Sequence, residues 1–170
     1  FTYINGGISI MSELRTNRIV PRDGLPSGSY GGIIQVKTAS AQDNTDYSST
    51  SDTTMLTLSF TPQRADSVLW IHVEFGGIRS RITGNTRTRL NSKIKRDGTQ
   101  IYYLNETPQY LNANFNSSGV EFTVPLSFST FDSPNTTNAV TYTVTWASPN
   151  GTAWNTASNT RRIVIFELSA

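Results

Sequence analysis

The chain has 170 residues, 36% of them hydrophobic and 15% charged, with a formal net charge of +2 and no cysteine. That length suits one domain able to remove roughly two thirds of its unfolded surface from water, and the missing cysteine excludes disulfides and thiolate metal sites. The charge is too slight to call for a nucleic-acid partner, and no apolar run approaches the ~20 residues of a membrane-spanning helix, so neither nucleic acid nor membrane insertion is expected. The polar share is carried by Ser, Thr and Asn, about a third of the chain, which suit exposed strand faces and turns.

In chain order, residues 1–31 hold Asn5-Gly6-Gly7, Pro21, Asp23-Gly24, Pro26 and Gly28, too many breakers for a helix or a long strand. With only short apolar pieces such as Ile19-Val20, this segment is expected to be an extended arm held by another surface, with Leu14, Ile19, Val20 and Pro21 as the docking candidates. Residues 32–170 form the body. A strand is expected at Ile33–Val36, a polar loop over Gln42–Asp52, and a strand in which Leu56, Leu58 and Phe60 alternate with Thr57 and Ser59. Val68–Phe75 points Leu69, Ile71, Val73 and Phe75 one way and Trp70, His72 and Glu74 the other, with Gly76-Gly77 expected to end it. The Asp97-Gly98 pair between the loosely alternating residues 86–96 (Leu90, Ser92, Ile94) and Ile101–Leu104 predicts a two-residue hairpin, since both central positions of a type I′ turn need positive φ.

The clearest alternation lies in Val120, Phe122, Val124, Leu126 and Phe128, and again in Val140, Tyr142, Val144 and Trp146 after the turn Asp132–Asn138. Joined by so short a polar turn, these two runs read as an antiparallel pair. A closing strand, Arg162–Leu168, is apolar on both faces and suits a central or interface position. About eight strands and no helix at this length predict an antiparallel β-sandwich of jelly-roll type.

Candidate chemistry is sparse. His72 is the sole histidine, so a zinc cluster is excluded and a structural role is expected. Asp43, Asp46 and Asp52 share one loop that could supply oxygen ligands to calcium, but their spacing matches no EF-hand, and neither metal nor cofactor is expected. No carboxylate pair stands out for glycoside hydrolysis, so the chain reads as non-enzymatic. Arg79, Arg81, Arg87, Arg89, Lys93, Lys95 and Arg96 fall within one stretch without an acid, and the odd numbering of the first six would align many of them on one strand face. Three readings stand open: attraction to an anionic surface such as lipopolysaccharide or nucleic acid, pairing with acids of a neighbouring subunit, or a solvated face. Tyr102, Tyr103, Tyr110 and Trp154 could stack on sugars or cover the ends of the sandwich.

The run Met11-Ser12-Glu13-Leu14-Arg15-Thr16-Asn17-Arg18-Ile19-Val20-Pro21-Arg22-Asp23-Gly24-Leu25-Pro26-Ser27-Gly28, followed by Gly31-Gly32-Ile33-Ile34-Gln35-Val36, resembles the opening of virion appendage proteins of tailed bacteriophages, particularly marine and cyanobacterial ones. The body is similar to the same group through Arg96-Asp97-Gly98-Thr99, Ser127–Pro134 and Thr141–Trp146. The resemblance spans about residues 11–170 and implies a tail-fibre or fibre-knob protein on the virion, a homotrimer whose arm docks to other virion proteins and whose sandwich meets a host-surface glycan or lipopolysaccharide. The alternative it leaves is a capsid or tail decoration protein (head fibre or cement) without receptor binding. A threefold contact needs apolar surface, for which Trp70, Val164, Phe166 and Leu168 are the candidates.

Overall fold

The computed structural model describes residues 32–82, 89–105, 120–149, 154–155 and 160–169. The expected arm at 1–31, with Leu14, Ile19, Val20 and Pro21, lies outside the described residues, as do Arg87 and Tyr110. The described residues form strands and no helix: β1 (Ile33–Gln42), β2 (Thr53–Phe60), β3 (Val68–Ile82), β4 (Asn91–Arg96), β5 (Thr99–Leu104), β6 (Val120–Asp132), β7 (Val140–Ala147), β8 (Trp154–Asn155) and β9 (Thr160–Leu168). Sheet one runs β1-β9-β3-β6, with the two-residue β8 pairing further along β3; sheet two runs β2-β7-β4-β5. All pairings are antiparallel. With β8 set aside, successive strands change sheet at every step except the β4–β5 hairpin, which is the wrapping of a jelly roll.

This wrapping corrects the expected β6–β7 pair. β6 lies at an edge of sheet one beside β3, whereas β7 lies inside sheet two between β2 and β4, and the 133–139 connection crosses from one sheet to the other. Alternation states that each strand buries one face; it is silent on which strand lies alongside. A second correction concerns Gly76-Gly77, which do not end β3. The strand continues to Ile82, with a register slip against β6 between Phe75 and Ile78. Phe75 and Ile78 are both buried despite their odd and even numbers, because a bulge at the glycines absorbs one residue. The expected strand at Ile33–Val36 extends to Gln42. The Asp97-Gly98 hairpin forms as predicted, with φ of 47° and 84° at its two central residues.

Between the sheets, Leu69, Ile71 and Val73 of β3 and Ile163 and Ile165 of β9 meet Leu56, Leu58, Ile94, Tyr142, Val144 and Trp146. Phe75 and Trp146 pack with ring centroids 4.7 Å apart, and Tyr102 stacks on Phe128 at 5.6 Å. Ionic staples close the sandwich. Asp132, at the end of β6, accepts from Arg96 Nη1 at 2.8 and 2.9 Å and from the Tyr142 hydroxyl at 2.6 Å, tying sheet one to β4 and β7. Burial, then the hydrogen bond to Asp132, pushes the Tyr142 hydroxyl pKa up.

The buried Arg161 donates through Nε to the Met55 carbonyl at 2.9 Å and through Nη2 to Asp43 Oδ2 at 2.8 Å, where the Tyr47 hydroxyl also donates at 2.8 Å. The hydrogen bond from Arg161 is the main reason that the Asp43 carboxyl falls from 3.8 to about 2. A carboxyl depressed by folding stabilises fully above its unfolded pKa and loses that contribution as pH falls through the folded value. The pair should therefore contribute about 2 kcal/mol at neutral pH, lost between pH 4 and 2. Urea midpoints of the wild type and Asp43→Asn should converge across that window; parallel curves would show that Asp43 adds nothing.

Candidate functional site

The described residues hold no group of three or more His, Cys, Asp or Glu placed to bind a metal. Two of the three loop carboxylates considered for calcium are instead engaged by cations: Asp43 by Arg161, and Asp52 by both Lys93 and Lys95. His72 lies on the outer face of sheet one, its ring 6.0 Å from that of Trp70. Among the described residues no helix is long and apolar enough to cross a membrane. What distinguishes the molecule is the contrast between its two outer faces.

On sheet one the strand register lines up Val36 of β1, Phe166 of β9, Trp70 of β3 and Phe131 of β6 in one row across the sheet. Val36 is 51% exposed and Phe131 65%. Trp70 and Phe166 stack at 4.9 Å and shield one another in part. On one side of this row lie Leu168 and its partners Ile33 and Val68, with Ile33 59% exposed; on the other lie Val164 and His72. A groove lined by Val68, Phe131, Ser133 and Leu168 runs into the patch. Trp70, Val164, Phe166 and Leu168 thus do share one surface. Sequence reasoning missed Ile33, Val36, Val68 and Phe131 as members of it. For Phe131 the signal was present: it has the opposite parity to the inward Leu126 and Phe128 on the same strand.

The basic stretch does not share one face. The chain passes from sheet one to sheet two between β3 and β4 and divides it, which corrects the expected alignment. Arg79 and Arg81 belong to β3; Arg79 lies 3.5 Å from Glu121 and donates to Asn44 Oδ1 at 3.3 Å. Arg89 precedes β4, and its carbonyl accepts from Trp154 Nε1 at 3.1 Å and Ser148 Oγ at 3.4 Å. Arg96 points to Asp132. Lys93 and Lys95 stand together on the outer face of sheet two, where Lys93 donates to both Asp52 oxygens at 2.9 and 3.1 Å and Lys95 lies 2.7 Å from Oδ2. Burial alone would raise the Asp52 carboxyl, but the hydrogen bonds from Lys95 and Lys93 outweigh it and hold the pKa below its ordinary value.

Opposite Lys93 sits Tyr103 of β5, 41% exposed, with the ammonium 5.5 Å from its ring centroid. The Tyr103 hydroxyl accepts from Asn91 Nδ2 at 2.7 Å and donates to Asn105 Oδ1 at 3.1 Å. Of the other rings considered for sugar stacking, Trp154 is fully buried and Tyr102 packs against the core.

No family model matches the chain, and no curated protein matches it. Among solved structures, the infectious bursal disease virus T13 particle gives a TM-score of 0.41 at 14% identity, covering 80% of this chain and 36% of that chain. The VP2 subviral particle of the same virus gives 0.40 at 13%, covering 80% and 37%. Dimeric latent PorU from Porphyromonas gingivalis gives 0.38 at 10%, covering 84% and 14%. The chain spans little more than a third of the viral chains it matches. At these values the likeness assigns no function and no residue role, and the sandwich rests on its own strand pairing.

Proposed function

We propose that this chain is a non-enzymatic virion appendage protein of the tailed-phage kind that its sequence resembles. It assembles as a homotrimer through the outer face of sheet one, attaches to other virion proteins through residues 1–31, and turns the polar face of sheet two toward the host surface. The observation that carries this reading is the uncharged row Val36, Phe166, Trp70 and Phe131 across the four long strands of sheet one. A soluble monomer rarely leaves so contiguous an apolar patch in water. The row itself sets no like charges against each other when copies of it meet, as in interface cores depleted of charge, and the ion pair Arg162–Glu74 on the same face lies beyond it. Three copies would give shallow host contacts the avidity that one lacks.

The purified chain should sediment as a trimer and bind host cells saturably. Trp70→Asp with Phe166→Asp should sediment as a monomer while keeping a β-sheet circular dichroism spectrum. A monomeric wild type would defeat the assembly reading. A trimer found on the particle that binds no cells would leave the decoration role, head fibre or cement, in its place.

A further inference from the structure

We infer that the outer face of sheet two carries a binding site for an acidic sugar, built from Lys93, Lys95 and Tyr103. This inference rests on the reading of that face as the host-facing one and gives it a ligand class.

The first observation is electrostatic. Two ammonium groups converge on the single carboxylate of Asp52, leaving a local excess of one positive charge. Lys93 directs hydrogen bonds to both Asp52 oxygens, while Lys95 meets only one. An ammonium has three N–H donors, so the pair retains capacity for a further anion. Both lysine side chains are 24% exposed, so they are confined by the sheet yet reachable.

The second observation is the ring. Tyr103 is exposed, but its hydroxyl is held from two sides by Asn91 and Asn105, which fixes the ring before any ligand arrives. A fixed aromatic face beside a cationic centre matches a sugar whose C–H face lies on the ring and whose carboxylate reaches the lysines. A free small anion would not need the ring. A nucleic acid would call for several stacking rings along a basic track, whereas among the described residues the cluster offers one exposed ring, Tyr103, and an excess of one charge. The neighbours of the lysines across β7 are Thr143 and Thr145, so no second carboxylate on that strand opposes an acidic ligand.

Calorimetric titration of the full chain with oligogalacturonate and with oligomannuronate, each alongside its methyl ester, tests the inference. At least one acid should bind, its uncharged ester about tenfold or more weaker, and binding should weaken as salt rises. Tyr103→Ala and Lys95→Met should each reduce affinity about tenfold or more, with unchanged thermal unfolding excluding a folding defect. Equal binding of acid and ester, unaltered affinity in both variants, or no binding of either acid would overturn the site. Because the titration needs neither virion nor trimer, a monomeric chain that binds the acid would sink the assembly reading and leave the sugar site standing.

Discussion

Replacing Trp146 by alanine should lower stability by about 3–5 kcal/mol, the cost of removing a large ring from a core that only partly collapses around the void. Trp146 is 1% exposed. It packs against Phe75 at 4.7 Å and receives Tyr47 edge-on at 6.1 Å, so it joins the two sheets to the loop that carries Asp43. Its Nε1 has no hydrogen-bond partner, which means that the loss is one of packing, and Trp146→Phe should recover a good part of it. The neighbouring Thr145 provides the contrast. It does not face solvent as strict alternation predicts; it is 4% exposed with an unpartnered Oγ1. Thr145→Val should therefore be neutral or slightly stabilising, since a buried hydroxyl without a partner gains nothing. Urea unfolding of the three variants checks the set, and a Trp146→Ala loss no larger than that of Thr145→Val would refute the placement of Trp146 in the core.

Replacing Glu167 by alanine should cost about 3–4 kcal/mol, because a buried charged acceptor is withdrawn from several donors at once. Glu167 is fully buried. Its carboxylate accepts from Ser67 Oγ at 2.7 Å, Gln35 Nε2 at 2.6 Å and the backbone N–H groups of Gln63 and Arg64 at 2.8 and 3.1 Å. Burial alone would raise its pKa, but these donors together hold it below the ordinary 4.5. With a folded pKa depressed in this way, the contribution is complete above pH 4.5 and fades as pH falls through the folded value. Glu167→Gln keeps the shape but turns an amide N–H toward some of these donors, so it should lose about 2 kcal/mol at pH 7 and less in acid. If Glu167→Gln matched the wild type at pH 7, the carboxylate would not be what pins the 61–67 connection.

Much of the strand pattern was legible locally. Tyr142, Val144 and Trp146 point inward, as do Leu69, Ile71 and Val73, because side-chain direction along a strand depends only on position. The Asp97-Gly98 turn was equally local, since it follows from which residues tolerate positive φ. The candidate surfaces were legible only in part. Trp70 and Phe166 announced themselves as outward rings, but Val36 and Phe131 join their row through pairings that no local pattern specifies. Glu167 passed as one residue of an apolar strand, because its donors lie 100 to 132 residues away in the chain. The basic stretch read as one feature because its residues are neighbours in sequence; the passage from β3 to β4 places them on different sheets.

The sequence by itself determined that this chain is an all-β sandwich, which face of most strands turns inward, and where its tightest hairpin lies, since period and turn chemistry act over a few residues. Tertiary structure alone decided that β6 lies against β3 and β7 against β2 and β4, and with that it assembled the apolar row on one sheet and the Lys93, Lys95 and Tyr103 cluster on the other. The physical reason is that strands with one apolar face are nearly interchangeable as partners, and the choice among them falls to the joint packing of both sheets around one core.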